Sequence, residues 1–276
     1  MQERKTKMQE ENRIFFFCEA EKQLFGYGRN SSFAKLTPQM IESEMQRNKS
    51  RTNMHIHNIS QDGLEYFVKT YGLTYKVLYL DDCTRINDFS ALGDLVNLEA
   101  LCIERCRGVE KLWDLSKNRK LKILSIRGAR KITKNPLQLR LSNTLEEIRF
   151  WSETIDKKYT MESLSCFMGL RLLRRIDLNG ILLSSHDMVA LSTLPSLEEF
   201  HFDAGMLRTE EIAWICAKYP NIYGQSLAAY SMNDPMCPGS IRICGQHKPS
   251  LFMPDDAAKL KKYVENFNGL VEKYRE

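Results

Sequence analysis

The sequence predicts an α/β repeat solenoid: short parallel strands line a concave face, and a tight 3₁₀ or helical arc returns each strand. Three observations carry that expectation. The middle of the chain repeats itself at steps of 23 to 28 residues, each repeat opens with a strand-like alternation, and both flanks read as caps.

Beginning at Tyr75 the chain reads YKVLYLDDC, followed by LEALCIERC from Leu98 and LKILSIRGA from Leu121. LEEIRFWSE from Leu145, LRRIDLNGI from Leu173 and LEEFHFDAG from Leu197 complete the series. The first, fourth and sixth positions are apolar in every copy. At 43% hydrophobic content, eighteen such matches arise by chance with a probability of roughly 10⁻⁷, so the pattern is structural. Apolar residues at four and six, with outward residues at three, five and seven, describe a period-two strand. After the first strand, Ile86, Phe89, Leu92 and Leu95 recur every three residues, as a 3₁₀-like or helical arc requires. The returns at 161–170, 186–194 and 210–219 read as more helical, the last with Thr209 as its N-cap. One such unit cannot bury its own apolar edge, whereas stacked units share a core.

The flanks complete the plan. Residues 1–53, with RIFFFCEA and LTPQMIESEM, read as an N-terminal cap of a strand and a helix. Residues 54–230 form the solenoid of about six or seven repeats, with a degenerate earlier copy at MHIHNISQDGLEYF and a weaker later one at NIYGQSL. Residues 231–276 hold a linker, SMNDPMCPGS, and a C-terminal capping helix. In that helix Leu260, Tyr263, Val264, Phe267, Leu270, Val271 and Tyr274 fall at three- and four-residue steps after Pro254.

These residues resemble the leucine-rich repeat family, whose pattern is LxxLxLxx(N/C)xL, over about Tyr75 to Leu207. The resemblance implies a curved solenoid with a parallel sheet on its concave face. Cys83 and Cys106 match the ninth-position Asn/Cys, whereas Ala129, Glu153, Ile181 and Gly205 depart from it. The layout is also similar to cytosolic bacterial repeat proteins through GVEKLWDLSKN, RTEEIAWICAKYP and IRICGQHKPSLF. That likeness implies no activity.

Composition bounds the rest. The chain has 276 residues, and 40 basic against 35 acidic side chains give +5. That total is too mild to mark a nucleic-acid or membrane-surface protein. The longest early apolar run, Ile14 to Cys18, is shorter than a secretory or membrane segment requires, which predicts a cytoplasmic protein with no membrane association. Eight scattered cysteines suit reduced, buried thiols. Cys102 with Cys106, Cys237 with Cys244 and His247, and His55 with His57 lack paired zinc-ligand spacing. Neither a metal nor a cofactor is expected.

The repeat register assigns the concave face. Position five carries Tyr79, Cys102, Ser125, Arg149, Asp177 and His201; position seven carries Asp81, Glu104, Arg127, Trp151, Asn179 and Asp203; position three adds Arg175. Six strands about 4.8 Å apart offer a standard protein–protein interface of about 800 Å². Tyrosine, tryptophan and arginine dominate binding energy in such patches. The expected partner is therefore a protein, held by Tyr79, Trp151 and Arg149, with Asp81, Glu104, Arg127, Arg175, Asp177, Asn179, His201 and Asp203 around them.

Charge supplies an alternative partner. Residues 71–110 carry four basic and seven acidic side chains, for −3, while 117–149 carry ten basic and two acidic, for +8. The second stretch is a belt that nucleic acid or an acidic polymer would find attractive. An enzymatic reading fares worse. Asp177 and His201 share a column on adjacent strands, as two-thirds of a triad would. Ser125 lies three strands from His201, roughly 14 Å, and Cys102 four strands, roughly 19 Å, so neither nucleophile reaches. GYG at 26–28 lacks a phosphate-binding spacing, and a cap site around His247 and Lys248 is the weakest reading of all.

Overall fold

The computed structural model describes residues 38–47, 52–154, 156–232 and 239–276. The expected cap strand at RIFFFCEA lies outside the described residues. Contacts divide the chain into two compact units, residues 1–145 and 146–276.

In the first unit, helix α1 (Pro38–Arg47) precedes strand β1 (Asn53–His57) and helix α2 (Gln61–Tyr71). Ser60 caps α2 by accepting the Gly63 N–H at 3.3 Å. The repeats follow as β2 (Val77–Asp81), β3 (Ala100–Glu104) and β4 (Ile123–Arg127). Strands β1 to β4 pair in parallel with no slip of register, so Tyr79 stands opposite Cys102 and Cys102 opposite Ser125. β1 is the degenerate first copy. The returns are 3₁₀ turns at Ser90–Asp94, Leu115–Lys117 and Leu137–Leu141, with a short helix α3 (Arg130–Lys134), which matches the three-residue apolar spacing.

The second unit holds β5 (Glu147–Trp151), β6 (Tyr159–Met161), β7 (Arg175–Asn179), β8 (Ile181–Leu183), helix α4 (Val189–Ser192) and β9 (Glu199–Phe202). β5, β7 and β9 pair in parallel, again in the predicted register, while β6 and β8 form a separate two-stranded pair. Helix α5 (Thr209–Lys218), strands β10 (Tyr230–Met232), β11 (Ser240–Ile243) and β12 (Ser250–Phe252), and helix α6 (Ala257–Arg275) complete it. β10 to β12 are antiparallel, so the segment expected as a linker contributes strand residues at both ends. Helix α6 packs on α5 and buries Phe267 and Val271 of the expected stripe.

All eighteen apolar residues at positions one, four and six are buried. At position nine, the Cys83 and Cys106 thiols are fully buried and meet backbone carbonyls, Cys83 that of Asp81 at 3.2 Å and Cys106 that of Glu104 at 3.5 Å. Asn118, which the pattern does not single out, is buried on the return side. Its amide donates to Leu92 O at 2.9 Å and Leu95 O at 3.1 Å, and its carbonyl accepts the Trp113 indole at 2.6 Å. The arc needs such a side chain because its tight turn leaves carbonyls pointing inward.

The residue after each of the first four strands takes a left-handed conformation: Asn58, Asp82, Arg105 and Gly128. Only the last is a glycine. Arg105 therefore holds a conformation disfavoured by roughly 1–2 kcal/mol, and in it reaches both Asp81 and Glu104.

Thr209 is the first residue of α5 rather than its cap; its hydroxyl turns to Cys244 O at 3.2 Å. Glu211 does the capping, accepting the Arg208 N–H at 2.8 Å while it pairs with the Arg208 guanidinium and with His186 Nδ1 at 2.8 Å. Burial pushes the Glu211 carboxyl up, but the two Arg208 contacts and His186 outweigh it and hold the group below its ordinary value. A carboxyl depressed in the folded state stabilises the fold above its ordinary value, and that contribution is lost as pH falls through the folded one. Glu211→Gln is accordingly expected to flatten the acid limb of the stability curve. Denaturant unfolding between about pH 6 and 3 checks this; a limb identical to the wild type contradicts it.

Candidate functional site

Positions three, five and seven of each strand emerge on one sheet face because strand side chains alternate. On the second unit this face carries a chequered array. Glu147 and Arg149 stand on β5, Arg175 and Asp177 on β7, Glu199 and His201 on β9, so acid and base alternate along and across the strands. The contacts follow. Arg149 pairs with Glu147. Arg175 reaches Glu199 at 3.1 Å and both Glu147 and Asp177 at 3.8 Å. His201 Nε2 meets Glu199 at 2.9 Å.

These pairings change the reading of two groups. His201 stands beside Asp177 in register, as predicted, but its bond goes to Glu199 on its own strand, two residues away on the same face. That bond and the Arg175 guanidinium hold the Glu199 carboxyl below its usual range. Asp177 is pushed up by burial, despite the Trp151 indole, Arg175, Arg149 and His201 around it. The array is thus an electrostatic mesh, in which the triad-like pair is not joined.

Beside this mesh lies a cleft of about 440 Å³, confined to the second unit. Trp151, Arg175, Asp177, Asn179, His201 and Asp203, six of the predicted site residues, line it. Trp151 is half-buried; its indole N–H is enclosed and faces the Asp177 carboxylate without closing a full hydrogen bond. Asn179 is exposed at the same register position on the next strand. Asp203, one residue past β9, accepts the Gly180 N–H at 3.0 Å and the Lys158 ammonium.

Gly180 fixes this corner. It sits at φ +70°, and a β-carbon there would lie 1.8 Å from Ser152 Oγ. Gly180→Ala is therefore expected to lower stability by about 2 kcal/mol or more, through strain and overlap together. Thermal unfolding measures the loss; an unchanged melting temperature contradicts it.

The far wall of the cleft is formed by Gln225, Ser226, Ser231 and Arg242. None of these was expected as a site residue. A signal existed: Ser240-Ile241-Arg242-Ile243 alternates with the period of a strand. Ser231 and Arg242 are register partners on β10 and β11, so their side chains leave the same face.

The first unit corrects the predicted surface. Tyr79, Asp81 and Glu104 are buried, Asp81 completely. Tyr79 donates its hydroxyl to Glu104, Arg105 binds Glu104 and Asp81, and His55 and His57 lie 3.7 and 3.4 Å from Asp81. Burial raises the Tyr79 phenol, reinforced by the neighbouring Cys102 and Glu104. Arg149, expected as an anchor, is likewise buried at 7% exposure in its pair with Glu147. In each case the acids and bases of the face satisfy one another, as buried charge requires. Arg127 remains partly exposed, 3.9 Å from Glu104. In the cap, His247 and Lys248 are exposed; Lys248 lies over the Tyr263 ring at 5.6 Å.

Among the described residues no helix is long and apolar enough to cross a membrane. No family model matches the sequence, and no curated protein matches it. The fold is similar to the crystal structure of an internalin (inlF) from Listeria monocytogenes, at 14% identity and a TM-score of 0.34. The match spans 66% of this chain and 69% of that one.

Proposed function

We propose that the chain is a non-catalytic, cytoplasmic leucine-rich-repeat solenoid that binds another protein through the concave sheet face of its second unit. The observation that carries this reading is the cleft: a half-buried tryptophan beside a charge mesh, with exposed Asn179 at its mouth. Aromatic anchors in partly desolvated recesses supply most of the binding energy of protein interfaces, while the polar surround fixes register. The mesh is internally neutralised, so the face presents shape and hydrogen-bonding groups rather than bulk charge. Arg175, Asp177, His201 and Asp203 orient the partner; Arg149, paired with Glu147, keeps the face rigid.

Affinity capture from a source-cell lysate tests this, comparing the wild-type chain with the Trp151→Ala/Asn179→Ala variant. Partners lost from the variant support the reading. Identical partners on both baits overturn it.

A second reading has its own observation. Residues 117–145 contain no carboxylate, and Lys117, Arg119, Arg130, Lys134 and Arg140 are exposed on the returns and their flanks. A polyanion bound there would lose affinity by decades between about 50 and 200 mM salt. The cleft reading expects a much smaller salt dependence.

A further inference from the structure

The cleft has two chemically different ends, and the difference points to the partner. At one end stand Trp151 and the chequered charges, each answered within the protein: Arg175 by Glu199, Asp203 by Lys158. At the other end Arg242 is exposed, and no ion pair joins it to any described residue. The Gln225 amide shares its wall, and so does the Ser231 hydroxyl, which also meets the Cys244 thiol. Ser231 and Arg242 face the same way as register partners on neighbouring antiparallel strands, where opposed β-carbons lie about 5 Å apart. A guanidinium with hydroxyl and amide groups beside it, and no carboxylate paired with it among the described residues, is a receptor for a carboxylate.

We propose that the cleft binds a polypeptide segment carrying an aromatic side chain and, three or four residues later, an acidic one. This rests on the interaction reading above and specifies its partner. The aromatic ring stacks on the Trp151 indole, whose N–H already faces Asp177 and leaves the ring face for contact. The acidic side chain takes the guanidinium of Arg242, with the Gln225 amide as second donor. Spacing supports the pairing. From β5 to the wall beyond β9 is three or more strand separations, roughly 15 Å; an extended chain advances about 10–13 Å over three or four residues at about 3.3 Å each, and the two side chains span the remainder. A volume of about 440 Å³ holds such side chains and lies within the range of ligand-binding clefts.

The test uses fluorescein-labelled pentapeptides on the full chain, read by fluorescence anisotropy. The probe is Phe-Ser-Ser-Ser-Glu, blocked at both ends, with Gln in place of Glu and Ala in place of Phe as controls. The Glu peptide is expected to bind wild type about tenfold more tightly than the Gln peptide, about 1.4 kcal/mol. In Arg242→Gln that preference disappears, while the Phe-over-Ala preference persists; Trp151→Ala shows the reverse. Such crossed losses assign each group to its partner, which general unfolding of a variant does not mimic. Equal binding of Glu and Gln peptides to wild type overturns the proposal, as does a Glu preference that survives in Arg242→Gln. Absence of peptide binding, with lysate partners still lost from Trp151→Ala/Asn179→Ala, overturns this proposal and leaves the interaction reading standing. Partners retained by that variant overturn both.

Discussion

Phe200→Ala is expected to destabilise the protein by about 3–5 kcal/mol, the cost of emptying a close-packed aromatic site. Phe200 is the position-four residue of the last full repeat and is fully buried. Its ring lies 4.8 Å from that of Phe202, and its backbone N–H donates to Tyr223 O at 2.8 Å. That bond ties β9 to the further, partial copy at NIYGQSL, where Glu199 and Tyr223 form a single parallel bridge. Truncation removes aromatic burial at the point where the repeat pattern gives way to helix α5 and the antiparallel strands, and the paired strand β7 limits collapse of the cavity. Urea unfolding measures the loss. A cost below about 1 kcal/mol contradicts a close-packed repeat core at this position.

Trp151→Ala is expected to weaken partner binding by about 30-fold or more, or about 2 kcal/mol, with little effect on the fold. The side chain is half-exposed at the end of β5, and the strand's own core contribution comes from Ile148 and Phe150, both fully buried. Two effects sum in binding. The indole face is lost as a platform, and Asp177 loses the N–H directed at it, in surroundings that already disfavour its charge. Titration calorimetry against the captured partner, with far-ultraviolet circular dichroism as a control, separates binding from folding. Unchanged affinity contradicts the anchor assignment. A large loss of melting temperature shows instead that the ring belongs to the core.

The strands and their register were legible in the sequence because two periods coincide there. Alternation within each strand fixes which side chains share a face, and the 23–28-residue repeat fixes which stand opposite one another. The pairs Tyr79–Cys102, Arg149–Asp177 and Asp177–His201 follow directly and are observed. Register does not reveal what the outward charges do next. Glu147 with Arg149, and Glu199 with His201, are neighbours two apart on one strand face; that spacing was visible and identifies them as partners of each other. Tyr79, Asp81 and Glu104 were expected to face a partner and are instead consumed in a network completed by Arg105. Its left-handed conformation has no glycine to announce it.

Beyond the repeats, legibility falls. The strands β10 and β11 flank a proline-rich segment that reads as a linker, and nothing periodic links Arg242 to Trp151, 91 positions away in the chain. Pairing between short antiparallel strands is set by tertiary contact rather than by repetition. Cap chemistry behaves similarly. Thr209 has the residue type of an N-cap, yet the Arg208–Glu211 contact captures the helix start, because Glu211 is also drawn to His186.

The proposed recognition surface is the sheet face of the second unit. Hydrogen–deuterium exchange of the chain with and without its captured partner tests it most directly. Protection on binding is predicted for the backbone amides at 151–152, 177–180, 201–204, 225–226, 231 and 242, the strand ends and turns that frame the cleft. Protection confined to 117–140, with the cleft exchanging as in the free protein, would contradict the account and assign binding to the basic returns.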